Sequence, residues 1–382
     1  MPAPALSHML AQLIATPSVS SVSPQFDMGN RAVIDLLAGW LESAGFLVEI
    51  LPLEHHRDKA NLIATLGDAS ASDGLILAGH TDTVPWDAAR WRFDPFVWTE
   101  LEGRGYGLGS ADMKSFLALA IEAARVFKAG DLRQPLIIVA TADEESSMDG
   151  ACLLARLGRP KARFCVIGEP TNLTPVHLHK GVMMEAVTVF GRSGHSSDPD
   201  KGLNAIDGMT RVLAALTAWR DSLKLQQNAA FLVPYTTVNF GHICGGDNPN
   251  RICPQCAVHF DVRPLPGMDG AALRYALRER VQAALKDTDF TFETHTLSPG
   301  VEPFSSGEHS QLTAFLTQIS GKAPKAVAFG TEAPFYKALG CDTVVFGPGR
   351  IDEAHQPDEY IELSALDDTV RMVRALIARC CL

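Results

Sequence analysis

Short apolar runs alternate along the chain with longer stretches in which apolar residues recur every three or four positions. ANLIATL (60–66), GLILAGH (74–80), LIIVATAD (136–143) and RFCVIGE (163–169) have strand length and carry apolar side chains on both faces, as central covered strands do. FLVEI (46–50) is a further strand. Residues 27–44 predict a helix stopped by Gly45, and 113–130 one closed by Gly130. Strand–helix alternation implies an α/β sheet with helices on both sides.

From about Lys180 the rhythm changes. MMEAVTVFG (183–191) alternates like a half-exposed strand, 202–223 is a long helix, and YTTVNFGHI (235–243) and QCAVHFDVRP (255–264) are strands. A helix (269–285) and a strand (289–296) follow, giving the β-α-β-β-α-β order of a split βαβ sandwich. Helix–strand alternation resumes with QLTAFLTQIS, APFYKALG, TVVFGPG and a last helix through 364–380. The expected organisation is a discontinuous main domain, 1–179 and 295–382, with a smaller α+β domain inserted at 180–294.

Composition narrows the classes. The 382 residues suit two domains, and 20% charged residues with 46% hydrophobic ones exclude a disordered chain. A net charge of −11 argues against nucleic acid and anionic membrane as partners. MPAPALSHML has no basic segment followed by an apolar one, and no stretch reaches the length of a membrane span. Eight cysteines are too sparse for a disulfide scaffold, so reduced thiols and a cytoplasmic location are expected.

Five blocks carry candidate chemistry. His80-Thr81-Asp82 ends one strand, and Asp112 precedes the helix that starts near Met113. Asp143-Glu144-Glu145 and Gly168-Glu169 each follow an apolar strand, and Glu353-Ala354-His355 lies beyond TVVFGPG. Taken singly, each has an ordinary reading: a hydrogen-bonded strand-end histidine, a helix N-cap, an acidic solvated turn. Together they are hard to dismiss, because the ends of parallel strands share one edge of a sheet. Two histidines and three carboxylates there suit two borderline cations with N/O ligands, zinc first. A shared carboxylate would give the short spacing of a two-metal site.

HTDTVP, GSADMKS, TADEESS, GEPT and AHQPDEY resemble the co-catalytic zinc peptidase family of aminoacylases, glutamate carboxypeptidases, desuccinylases and deacetylases. Within it, GTEAPFY (330–336), RPLPG (263–267) and GPGRIDEAHQPDEY (347–360) are most similar to the deacetylases of arginine biosynthesis. The resemblance implies a zinc-peptidase-like catalytic domain with a central mixed sheet, and a ferredoxin-like lid and dimerisation domain. It implies one zinc on His80 and Glu169, another on Glu145 and His355, and Asp112 bridging them with a water or hydroxide between. Cobalt is an expected substitute. Asp82 would support His80, Glu144 would be the general base, and the peptide after Asp112 would be cis. His195 would stabilise the oxyanion, in relatives often in the partner subunit's site, so a homodimer is expected. Lys180, Asn250, Arg263, Gly330 and Thr331 match positions that hold substrate carboxylate, although Arg263 could equally form a structural ion pair.

The implied reaction is removal of acetyl from N2-acetyl-L-ornithine. Alternatives on the same machinery are acetylcitrulline, succinyl-diaminopimelate or a broad range of N-acyl amino acids, and a further alternative is an inactive metabolite-binding relative. The residue reading the substrate's side-chain ammonium is open between Glu332 and Glu353. Gly103–Gly109 fails the dinucleotide spacing and follows no clear strand. Cys253 and Cys256 form a single CxxC without a second pair, and the remaining histidines, His55 and His56 among them, form no constellation.

Overall fold

In the computed structural model, residues 4–54 and 56–382 are described; expectations touching Met1–Ala3 and His55 lie outside them. Two compact units result. Met1–His177, Ser306–Lys325 and Thr331–Leu382 form the first, and Leu178–Ser305 with Ala326–Gly330 form the second.

The chain begins with α1 (Leu6–Ile14) and α2 (Arg31–Ser43), then β1 (Leu47–Leu53), β2 (His56–Leu66) and β3 (Leu75–His80). Short strands β4 (Thr99–Leu101) and β5 (Arg104–Tyr106) lead to α3 (Lys114–Ala124), followed by β6 (Leu136–Thr141) and α4 (Asp149–Leu157). Next come β7 (Phe164–Ile167) and β8 (Val176–His179), along which the chain passes into the second unit. There it forms β9 (Val182–Phe190), α5 (Ala205–Leu223), β10 (Thr237–Gly245), β11 (Gln255–Arg263), α6 (Gly270–Ala284), β12 (Thr291–Val301) and β13 (Phe304–Ser305). α7 (Gln311–Ser320), β14 (Lys325–Val327), α8 (Ala333–Ala338), β15 (Asp342–Val345), β16 (Tyr360–Glu362) and α9 (Ser364–Cys381) complete it.

The sheet of the first unit runs β1-β2-β6-β3-β7-β15-β8. β3, β6, β7 and β15 are mutually parallel, whereas β1, β2 and β8 join antiparallel, so the sheet is mixed. Every residue of β3 and β6 is buried, which is what their unbroken apolar sequence requires. Leu75, Leu77, Leu136, Ile138 and Val166 share one core with α1, α2, α3 and α9. The alternate residues Ile76, Ala78, Ile137 and Val139 are buried on the other face, where Tyr336 of α8 lies near Cys165.

Two helix ends differ from the sequence reading. α2 starts at Arg31 rather than near 27, because the Asn30 side chain pairs with the Ala60 backbone N–H and carbonyl instead of continuing a helix. α3 stops at Ala124, well short of Gly130. An 18-residue helix would be about 27 Å long, whereas a six-residue strand spans about 20 Å, so a longer helix would overrun the sheet it covers.

In the second unit, β10-β11-β9-β12 form an antiparallel sheet. α5 and α6 bury Met209, Val212, Leu216, Leu277 and Val281 against Val187, Val189, Val258 and Phe260. β12 runs on to Val301, past the crossing at 294 expected from the sequence, with register shifts after Thr296 that accommodate Pro299 and Gly300. Cys253 and Cys256 are free thiols in this core.

Candidate metal centre

Four segments converge at the carboxyl edge of the parallel strands. β3 ends on His80, β6 leads into Asp143–Glu145, β7 leads into Glu169, and the chain after β15 reaches His355. Asp143 at φ +61° and His355 at φ +59° turn the backbone sharply just beyond the sheet. Asp112 arrives from outside the sheet, on the loop before α3, and the Asp112–Met113 peptide is cis. Gly168 lets this packing happen: a Cβ there would lie 2.0 Å from the Phe116 ring of α3.

The Asp112 carboxylate stands between two histidines. Its Oδ1 is 3.1 Å from His80 Nε2 and its Oδ2 is 3.4 Å from His355 Nε2. Glu169 Oε2 lies 4.0 Å from His80 Nε2, and Glu145 Oε1 lies 3.0 Å from His355 Nε2. His80 Nδ1 is 3.0 Å from the Asp82 carbonyl oxygen, which directs Nε2 at the carboxylates. The Asp82 carboxylate is 3.6 Å from Nδ1 and accepts the Glu145 backbone N–H at 3.0 Å, so it braces the Glu145 loop more directly than the imidazole.

Carboxylate oxygens only accept, and His80 Nδ1 already faces a carbonyl, so this convergence needs protons or cations. Burial raises the carboxyls of Glu144 and Glu169 well above the usual range, and the charges of Glu169 and Asp112, respectively, raise them further. Burial alone would also raise Asp112, but hydrogen bonds from His355 and His80 bring it well below the ordinary carboxylate value. Hydrogen bonds to Asp112 and Glu145 lift His355 to about 10. Without cations the cluster thus draws protons to offset its negative charge. Glu169 Oε1 and Asp82 Oδ1 remain buried without a hydrogen-bond partner.

The donor set fits divalent metal. Ligand atoms of His80, Asp112 and Glu145 lie within 4.8 Å of one another, and ligands on a tetrahedral ion stand about 3.5 Å apart. His56, Asp143 and Asp149 form a second such group. There Lys59 Nζ already contacts Asp143 Oδ1 at 2.6 Å and Ser20 Oγ donates to it at 2.8 Å, so that carboxylate's charge is already neutralised.

The model of Peptidase family M20/M25/M40 matches residues 76–379, which include every residue of this cluster. The chain belongs to that family. It is therefore a metallohydrolase. Among M20 relatives, the acetylornithine deacetylase of Proteus mirabilis (strain HI4320) is 45% identical over 380 residues, covering 99% of this chain and 97% of the relative. The acetylornithine deacetylase of Pasteurella multocida (strain Pm70) is 44% identical over 379 residues, 99% of this chain and 98% of the relative. In fold, the M20 chain resembles the aminopeptidase PepT from Bacillus cereus ATCC 10987, with TM-score 0.75, 22% identity and 97% of each chain covered. A tripeptidase from Staphylococcus aureus matches with TM-score 0.74 and 18% identity, over 98% of this chain and 97% of the other.

The other residues named from the sequence lie mainly in the second unit. His195 is exposed, and its Nδ1 faces the Ser197 backbone N–H at 3.3 Å and Ser197 Oγ at 2.8 Å, so Nε2 is the nitrogen left outside this turn. Its loop is tied to that of Asn250, whose carbonyl accepts the Ser196 N–H at 3.1 Å. Lys180 is buried and donates to the Tyr235 carbonyl at 2.6 Å; burial, then the Arg263 charge, lowers its pKa. Arg263 pairs with Asp261 at 2.9 Å. A Cβ on Gly330 would lie 2.9 Å from Val182. Thr331, in the first unit, accepts the Ala333 N–H at 3.1 Å in the turn that leads into α8. Glu332 is buried in the first unit, while Glu353 accepts a hydrogen bond from Tyr360 Oη at 3.0 Å.

Three buried charges at the site escaped the sequence reading. Lys59 pairs with Asp143 and Asp27, Lys114 Nζ donates to the Thr16 carbonyl at 2.8 Å, and Glu359 binds the loop that carries Asp112. Lys114 and Glu359 stand inside GSADMKS and AHQPDEY, so the motifs held a signal for them; nothing marked Lys59.

Proposed function

We propose that the chain hydrolyses N2-acetyl-L-ornithine to L-ornithine and acetate, as a cytoplasmic enzyme of arginine biosynthesis. The observation that carries the reaction class is the Asp112 carboxylate with one oxygen toward His80 and the other toward His355. The substrate follows from the full-length similarity to acetylornithine deacetylases. The eight free thiols agree with a reducing compartment.

His80 and Glu169 would hold one divalent cation, Glu145 and His355 the other, with Asp112 shared between them. Zinc is the proposed ion, and cobalt would replace it. Bound there, two cations supply positive charge that polarises an amide carbonyl and acidifies water. Glu144, beside these ligands, takes a proton from the attacking water. Glu144 then hands that proton to the departing α-nitrogen as the C–N bond breaks. Water's oxygen ends on acetate and both of its protons on the α-nitrogen, which leaves as the ammonium. Asp82 holds the Glu145 backbone in place meanwhile.

The second unit is proposed to act as lid and dimerisation domain. His195, whose Nδ1 faces Ser197, is proposed to donate from Nε2 to the developing oxyanion in the partner subunit's site. Lys180, Asn250, Arg263, Gly330 and Thr331 are proposed to hold the substrate carboxylate.

Competing turnover tests the substrate. Purified zinc-loaded protein should show its highest kcat/KM with acetylornithine. Faster hydrolysis of acetylmethionine, acetylcitrulline or succinyl-diaminopimelate would overturn the assignment.

A further inference from the structure

Asp112 differs from the other proposed ligands in how it is anchored. His80 ends β3, and Glu145 and Glu169 closely follow β6 and β7, so the sheet itself places them. Asp112 sits on a loop that belongs to no strand of that sheet, and something else must fix its position.

Glu359 does so directly. Its side chain is buried, at 2% exposure for the residue. Oε1 accepts the backbone N–H of Ala111 at 2.8 Å and of Asp112 at 3.0 Å, and Oε2 accepts that of Gly109 at 3.1 Å. Its own carbonyl accepts the Gly107 N–H at 3.0 Å. Next to it, Asp358 Oδ1 accepts the backbone N–H groups of Arg92 and Phe93 at 2.8 and 3.3 Å. Glu359 lies four residues after His355, so one short segment carries a histidine and grips the loop bearing Asp112. Bonds from the amides of Gly109, Ala111 and Asp112 leave that loop little freedom.

We propose that Glu359 is a positioning residue that sets the Asp112 carboxylate between His80 and His355, and so governs metal affinity. This rests on the reading of Asp112 as the shared ligand. A glutamine at 359 can still accept at one end but presents an N–H to the Gly109 N–H at the other. Alanine leaves all three amides unpaired.

The test is zinc affinity of the metal-free protein, measured by competition with a chromophoric chelator, for wild type, Glu359→Gln, Asp112→Ala and the double variant. Thermal melting of each metal-free protein is recorded alongside. Glu359→Gln should weaken zinc binding about 10–100-fold, the usual effect of losing a partner that orients a ligand. In the Asp112→Ala background the same change should have little further effect. Unchanged affinity in Glu359→Gln, with weakened binding in Asp112→Ala, would overturn the inference alone. Equal losses in both backgrounds would overturn it too, since Glu359 would then act on the fold and not through Asp112. Unchanged affinity in Asp112→Ala would remove the metal reading beneath it. Should Glu359→Gln fail to fold, Glu359→Asp, which keeps the carboxyl with a shorter reach, should weaken binding in the same direction and is judged by the same cycle.

Discussion

Lys59 and Glu332 show what buried charge does at single residues. Lys59 neutralises Asp143 at 2.6 Å and Asp27 at 2.8 Å directly behind the Glu144–Glu145 turn. Lys59→Met should lower stability by about 3–5 kcal/mol in chemical denaturation, because Asp143 keeps a buried charge without its partner. A loss below about 1 kcal/mol would contradict the neutralising role. Burial pushes the Glu332 carboxyl up to about 7 from 4.5, with partial relief from Thr141. The folded metal-free chain therefore binds a proton there that the unfolded chain releases. Its stability is whole below about pH 4.5 and falls as pH rises through 7. Glu332→Gln mimics the protonated acid, so its stability advantage over wild type should grow by about 2–3 kcal/mol from pH 5 to pH 8. A pH-independent difference, measured by unfolding at each pH, would exclude the effect. The strand-end acids and histidines were legible in the sequence because an apolar run followed at once by a charge marks the edge of a buried sheet. Lys59 was not, because its partner lies 84 residues away, and in HRDKANLIATL it reads as the polar start of a strand.

Elements were legible where their own periodicity sets them and less so where neighbours do. β3, β6 and β7 follow from their apolar runs, and α5 and α6 from their spacing. The end of α3 depends on the depth of the sheet, and the start of α2 on the Asn30 side chain reaching β2, neither of which is local. α1 and β8 escaped notice because each is short; VHLH in particular has no apolar run, and its pairing lies far along the chain. Gly168 packs tightly against the Phe116 ring of α3. Gly168→Ala should destabilise by about 1–3 kcal/mol through overpacking, and its effect combined with Phe116→Leu should be smaller than the sum. Fully additive losses in denaturation would show that the ring is not what the added methyl meets.

At the scale of the molecule, the proposed metal ligands lie in one unit and His195 in the other. If His195 serves the partner's site, mixing Glu144→Ala with His195→Ala under subunit exchange should restore about a quarter of wild-type activity, through mixed dimers with one intact site. No recovery, with exchange verified, would place His195 in its own chain's site. Among the described residues no helix is long and apolar enough to cross a membrane. The acidic net charge of −11, first read as evidence against nucleic acid, now includes Asp112, Glu144, Glu145 and Glu169, with proposed work at the metals. Metal removal tests that work in bulk: chelation should abolish turnover, and zinc should restore it. The most direct measurement is anomalous scattering at the zinc edge from crystals of the zinc-loaded protein. Two peaks are expected, one beside His80 and Glu169 and one beside Glu145 and His355, with the Asp112 carboxylate between them. A single peak, or zinc at His56 and Asp149 instead, would contradict it.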